Sequence, residues 1–241
     1  MVIAHLTYDR LNLITCSLTC RSWYIAAVPH LHHTLTIASL YSLGVETRRT
    51  RSLLDKHHLC LLPLVKKFRI DRLNGSSPDK LIIPLLPQFF ALTNVRELEI
   101  EGLDIPSLIP SIQRYFQNIL PTLRSLTLRT PYGSPRQILY FVGQFQYLED
   151  LTLLFLSARD FLEEPVKSPV LVPPFTPPLR GRLRVRYLTG VLFPKTMIEM
   201  FGGIRSRHVS LHRVDGMSLL LGACAERLET LQLHLHDPWS Q

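Results

Sequence analysis

LPTLRSLTL, residues 120–128, places leucine at positions 120, 123, 126 and 128, and the last three form the pattern L-x-x-L-x-L. The pattern recurs along the chain. Val95, Leu98 and Ile100 make one copy, Leu148, Leu151 and Leu153 a second, and Leu228, Leu231 and Leu233 a third. Weaker versions stand at Val65-Lys66-Lys67-Phe68-Arg69-Ile70, at Leu183-Arg184-Val185 and at Val209-Ser210-Leu211. With Phe68, Leu98, Leu126, Leu151, Leu183, Val209 and Leu231 as markers, successive copies lie 30, 28, 25, 32, 26 and 22 residues apart. A signature repeated at such intervals marks units that fold alike and stack.

The physics of the pattern is specific. Successive side chains of a strand point to opposite faces, so Leu126 and Leu128 share one face and Thr127 takes the other. One such strand cannot bury its leucines alone, and a neighbour of the same kind must lie beside it. The expected fold class is therefore α/β. An irregular leucine-rich-repeat solenoid spans 32–241, with a curved parallel sheet and helices on its convex side. Residues 32–37, HHTLTI, alternate like a strand and are expected to begin the sheet.

Several helices are expected between strands. Ser52 reads as a cap ahead of Leu53, Leu54 and His57. Leu81, Ile82, Leu85 and Phe89 suggest a helical back broken by Pro84 and Pro87. Residues 106–119 carry a stripe of Leu108, Ile112, Tyr115, Phe116 and Ile119. Ser134-Pro135 opens a helix that turns Ile138, Leu139, Val142 and Phe145 inward. Pro194 opens another, and Asp215 caps the last. Residues 157–181 hold Pro165, Pro169, Pro173, Pro174, Pro177 and Pro178 and read as an inserted loop. The C-terminal residues show no capping repeat, so an exposed sheet edge is expected there, covered by further chain or a partner.

Composition narrows the function classes. With 46% hydrophobic and 19% charged residues, the chain has ample material for a core and no signature of general disorder. The net charge of +8 favours acidic partners, but the basic residues are dispersed and lack the aromatic interleaving of a single-strand binding platform, so nucleic acid is not the favoured partner. No apolar stretch approaches the roughly 20 residues of a membrane helix, and no membrane partner is expected. No secretory signal is read at the N-terminus, and four cysteines in so core-rich a chain do not form a disulfide framework. The expected setting is cytoplasmic, nuclear or both.

Residues 1–31 read as a short helical module. Val2, Ile3 and Leu6 form one apolar edge, Tyr8-Asp9-Arg10 a polar connector, and a second helix follows. In it Ile14, Leu18 and Arg21 share one face, and Cys16, Cys20 and Trp23 another. Pro29 is expected to stop or turn the chain. Cys16 and Cys20, one helical turn apart, precede His30, His32 and His33. Their spacing fits zinc sites poorly, and cysteine on an apolar helix face is ordinarily core, so no metal is expected.

The run CSLTCRSWYIAAVPHL, residues 16–31, resembles the second half of an F-box, and SLTCRSW is especially similar to F-box proteins of basidiomycete fungi. The resemblance covers about residues 1–35. It implies docking on the Skp-type adaptor of a cullin–RING (SCF) ubiquitin ligase, with the repeats downstream selecting a protein substrate for degradation. Leu6, Leu11, Leu13 and Leu18 match the apolar positions implied to touch the adaptor. Cys20 and Trp23 match positions implied to pack the module's own core. The usual Leu-Pro-x-Glu opening of the family does not precede Val2, so the F-box is expected to be truncated.

No nucleophile elbow, phosphate loop, zinc-protease helix or dinucleotide glycine run is present, and the expectation is a non-enzymatic protein without a cofactor. Outward strand positions would line the concave face. Arg124, Thr127, Glu149, Thr152, Arg182, Arg184, Arg186, His208 and His212 are the candidate substrate-binding residues. Rows of opposite sign can neutralise one another between strands, whereas Arg182, Arg184 and Arg186 form a basic band suited to an acidic peptide or phosphate. The expected function is a ligase adaptor that bridges Skp-type adaptor and substrate. The alternative is a leucine-rich-repeat scaffold without ligase binding.

Overall fold

A computed structural model of the chain describes residues 9–37, 56–71, 91–102, 118–130, 135–154, 182–188, 206–214, 218, 221–222 and 228–234. Two helices come first, α1 (Arg10–Thr19) and α2 (Arg21–Leu31). Eight strands follow: β1 (Thr34–Ile37), β2 (Lys67–Ile70), β3 (Glu97–Glu101), β4 (Ser125–Arg129), β5 (Asp150–Leu154), β6 (Arg182–Leu188), β7 (His208–Val214) and β8 (Thr230–His234). A 3-10 helix (Lys56–Leu64) precedes β2, and α3 (Pro135–Gly143) precedes β5.

The strands form one open sheet whose spatial order is their sequence order, and every neighbouring pair is parallel. Each chain segment between strands must therefore return to the starting end of the sheet. The register follows the repeat. Leu35 pairs with Phe68, Phe68 with Leu98, Leu98 with Leu126, Leu126 with Leu151, Leu151 with Leu183, Leu183 with Val209, and Val209 with Leu231.

One face of this sheet is the core. Phe68, Ile70, Leu98, Ile100, Leu126, Leu128, Leu151, Leu153, Leu183, Val185, Val209 and Leu211 are all buried. They form one cluster with Leu62 of the 3-10 helix and with Ile138, Phe141 and Val142 of α3. Phe141 meets Phe145 edge to face, with ring centres 5.4 Å apart. The inward set expected for this helix is therefore present, with Phe141 added to it. Burial ends at β8, where Leu231 and Leu233 are 38% and 42% exposed.

A second repeated device ties the turns together. Just before β2, β3, β4, β5 and β8, one carbonyl of the preceding turn accepts two consecutive N–H groups. His33 accepts from Lys66 and Lys67, Lys66 from Arg96 and Glu97, Arg96 from Arg124 and Ser125, Arg124 from Glu149 and Asp150, and Arg207 from Glu229 and Thr230. Side chains reinforce two of these junctions. The Asn94 amide donates to the Pro63 carbonyl at 2.8 Å, and the Thr122 hydroxyl to the Val95 carbonyl at 2.8 Å. At β6 a side chain serves instead: Arg182 N–H donates to Asp150 Oδ1 at 3.1 Å. After β3 and β4 the chain turns through positive φ, at Gly102 (64°) and at Thr130 (42°). Glycine enters this region freely, whereas β-branched Thr130 is strained there.

The N-terminal module departs from expectation in three respects. Its second helix is not continuous but breaks at Cys20, whose extended backbone (φ −160°, ψ 166°) ends α1 and begins α2. The hydroxyls of Thr15, Ser17 and Thr19 donate to carbonyls three or four residues earlier, a competition that weakens the last turns of α1. Pro29 does not stop the chain. It sits within α2, which ends where the His32 N–H bonds the Val28 and His30 carbonyls. Only one intrahelical bond, to the Ile25 carbonyl, is lost to proline so near the end, and Ile25 is exposed to water. Finally, Cys20 and Trp23 are exposed and do not pack the module's interior. That interior is Leu13 and Ala27, with Ala26 and Leu31 against them.

Asp9 caps α1, accepting from the Asn12 N–H at 3.1 Å and from the Asn12 amide at 2.6 Å. Asp9→Ala is expected to destabilise the helical hairpin by about 1 kcal/mol, measured as faster amide exchange within α1 than within the sheet. Equal protection in variant and wild type would show that the cap is immaterial.

Leu6, the expected helices at Leu81–Phe89 and after Pro194, most of the 106–119 helix and the proline-rich insertion lie outside the described residues, as do the caps Ser52 and Asp215; of the helices expected after these caps, His57 falls in the 3-10 helix, and residues 218 and 221–222 are helical. Ile119 is buried in a turn at 118–122.

Candidate interaction surfaces

Two surfaces stand apart from the core. The first is the outer side of α1. Leu13 and Cys16, three residues apart, are its buried side. Leu11, Ile14 and Leu18 fall on the opposite side at i, i+3 and i+7. They are exposed, Leu11 at 78% and Leu18 at 81%. Trp23, Tyr24 and Ile25 of α2 are exposed as well. A helix that is apolar on both sides ordinarily has neighbours on both, and six large apolar side chains on twenty-odd residues exceed ordinary surface scatter. Of the four leucines expected here, Leu11 and Leu18 are outward. Leu13 is 1% exposed and holds α1 to α2, so it is unavailable for direct contact with a partner. Ile14 and Tyr24 are not among the expected contact positions, although the sequence puts Ile14 on the face of Leu18, and that shared face carries its signal.

The second surface is the polar face of the sheet. Register places its residues in rows. Thr36, Arg69, Glu99, Thr127, Thr152, Arg184, Ser210 and Gln232 form one continuous row across all eight strands. On β2–β4 this face is a closed ion network. Glu99 is only 6% exposed. It lies 3.2 Å from Lys67 Nζ, 3.9 Å from Arg69 Nη1 and 2.7 Å from Arg129 Nε. The Arg129 N–H is not aimed at the carboxylate oxygen, so that contact is one of charge rather than an aligned hydrogen bond. Arg69 also meets Asp71 at 3.1 Å and Glu101 at 3.5 Å.

Burial by itself would raise the pKa of Glu99, but hydrogen-bonded Lys67 and the charges of Arg69 and Arg129 outweigh it and hold the carboxyl below its ordinary value. Arg69 is affected in the opposite sense: burial disfavours its charge, and Asp71, Glu99 and Glu101 more than restore it.

The candidate residues of this face separate by row. Arg124 and Glu149 pair at 3.5 Å at the strand-entry end, where Arg124 also donates to the Tyr147 carbonyl and stacks 5.1 Å from the centre of its ring. Thr127, Thr152 and Arg184 share the central row, half-buried. Arg182 and His208 share the next row towards strand entry, and Arg186 and His212 pair in the row beyond. Among the described residues neither Arg182 nor Arg184 has a carboxylate in ion-pair contact with its guanidinium, in contrast to the cations of β2–β4. Arg129 was missing from the expected rows; it stands one residue past Leu128, as Glu101 stands one past Ile100, and that correspondence carries its signal.

Among the described residues no group of three or more histidine, cysteine or acidic side chains is placed to hold a metal ion, and no helix is long and apolar enough to cross a membrane. Cys16, Cys20 and Cys60 are free thiols. Comparison with protein-family models and with curated proteins gives no match.

Proposed function

We propose that this chain is a bridging protein of the F-box and leucine-rich-repeat kind: its helical hairpin docks on a Skp-type ligase adaptor and the polar face of its solenoid sheet holds a protein substrate. The observation that carries the reading is the outward stripe of Leu11, Ile14 and Leu18 on a helix whose other side is already buried. Such a stripe is the form in which a helix presents itself to a partner's groove. The sequential parallel sheet supports the second half, because a solenoid offers an extended row surface. Bridging gives rate through effective concentration, with no chemistry required of the bridge itself.

The test is capture of a purified Skp-type adaptor by the whole chain and by a Leu11→Asp/Leu18→Asp variant. Both positions are exposed, so the variant is expected to fold, as checked by circular dichroism. Its affinity for the adaptor is expected to drop at least about 100-fold, since truncated anchors at a desolvated centre each remove 2 kcal/mol or more. Capture of the variant as strong as that of the wild type sinks the adaptor assignment. If the wild type itself fails to bind, the repeat-scaffold reading takes its place.

A further inference from the structure

The two halves of the polar face differ in charge balance. On β2–β4, Lys67, Arg69 and Arg129 converge on Glu99, and Arg69 also reaches Asp71 and Glu101. Among the described residues of β5–β7 no such neutralisation occurs. Arg184 has Thr152 on one side in register and Ser210 on the other. Among the described residues Asp150, diagonal to it on β5, makes no ion pair with its guanidinium, and the nearest carboxylate in its own row is Glu99, three strands away. That is roughly 14 Å at the spacing of strands in a sheet, beyond the screening length of about 8 Å at physiological salt. Arg182 has His208 as its register partner, and among the described residues the acid beside it, Asp150, is engaged by the Arg182 backbone N–H rather than by its guanidinium.

We infer that the β5–β7 half of the polar face docks an extended acidic segment of a protein partner, with carboxylates at alternate positions and Arg184 at the centre of the contact. This rests on the polar face being the substrate-holding surface and is independent of the adaptor-binding helices.

Three features select this partner. Guanidinium groups form paired hydrogen bonds with carboxylates, and half-buried Thr152 places a hydroxyl donor beside the central one. Arg182, Arg184 and Arg186 occupy alternate positions of β6, a spacing of about 6.6 Å that an extended peptide reproduces between its own alternate side chains. Among the described polar-face positions of β5–β7 no aromatic side chain is present for bases to stack on, which disfavours single-stranded nucleic acid.

The experiment uses the full chain and a fluorescent ten-residue peptide of alternating glutamate and threonine, followed by anisotropy at physiological salt. The wild type is expected to bind it and to ignore the glutamine–threonine version. Arg184→Gln is expected to weaken binding at least tenfold. Arg182→Glu, at an exposed position, serves as a second variant should Arg184→Gln perturb folding, and is expected to act in the same direction. Arg10→Gln, which removes an equal charge at the exposed start of α1, away from the sheet, is expected to change affinity less than twofold.

Equal losses from Arg10→Gln and Arg184→Gln would mean general attraction to a +8 chain and would overturn the inference. So would binding of a single-stranded oligonucleotide in preference to the peptide, or no peptide binding at all. Adaptor capture is measured separately, so failure here leaves that assignment standing, and failure there leaves this one.

Discussion

Phe68→Ala is expected to lower folding stability by about 3–5 kcal/mol, the range for emptying a fully buried aromatic site. Phe68 is completely buried at the middle of β2, between Leu35 and Leu98 in register. It is also the bulkiest of the seven repeat markers, filling a place that leucine or valine fills elsewhere. Alanine there leaves a cavity that the pleated neighbours on both sides, fixed by main-chain pairing, cannot close. Phe68→Leu restores most of the volume and is expected to lose only about 1–2 kcal/mol. Urea denaturation followed by circular dichroism gives both values. A loss under about 1 kcal/mol for the alanine variant would show that the leucine face is not a close-packed interior. Because each turn of a repeat array touches only its neighbours, amide protection is expected to fall first in β1–β3 and to persist in β5–β7.

The second large effect lies on the opposite face. Glu99→Ala is expected to cost about 2–4 kcal/mol, somewhat below the range for breaking a deeply buried pair, because its cationic partners are about one-third exposed. Removing the carboxylate leaves Lys67, Arg69 and Arg129 close together with their common counter-charge gone. Their repulsion is what the measurement reads, and added salt is expected to recover part of the loss.

The pH dependence has a definite sign. Glu99 is held below the ordinary carboxylate value of 4.5 by its cationic neighbours, against the effect of burial. A carboxyl with a depressed folded-state pKa contributes stability that is complete above its unfolded value and is lost as pH falls through the folded value. The stability gap between wild type and Glu99→Gln is therefore expected to be constant above pH 4.5 and to shrink steadily in more acid solution. A gap that stays constant across that range would show that the carboxylate is not stabilised by those cations.

The sheet was legible because its logic is local and repeated. Leu98, Leu126, Leu151 and Leu183 could be aligned by the recurring leucine pattern despite uneven spacing, and the aligned residues are register partners. Strand alternation then assigned both faces, so Arg184 and Thr127 fell on the polar side without reference to contacts. The helical module was less legible. Its break at Cys20 follows from hydroxyl groups that turn back on their own helix, a competition that apolar spacing does not register. The exposure of Trp23 is a property of how two short helices cross, and large aromatic side chains are read as interior until that crossing is seen. Leu13 and Leu18 look alike in sequence, and their opposite fates depend on which side of α1 meets Ala27. The depth of Glu99 was hidden for a related reason: charge alternation predicted neighbours for it but not that three cations would close over one carboxylate.

The doubled hydrogen bonds at the strand entries restrict where one residue type can stand. Each carbonyl there needs N–H groups from two successive residues, and the strand that follows needs more for its ladder. Proline has none to give. The chain contains 18 prolines, yet none falls within any of the eight strands or at the paired positions 66–67, 96–97, 124–125, 149–150 and 229–230. Seventeen of them stand in the helices or between the strands and Pro238 follows β8, so the proline map of this sequence is a negative image of its sheet. A substitution to proline is thereby sorted in advance: tolerable across much of the chain between strands, and ruinous to the stacking of two turns at once when it falls on a strand entry.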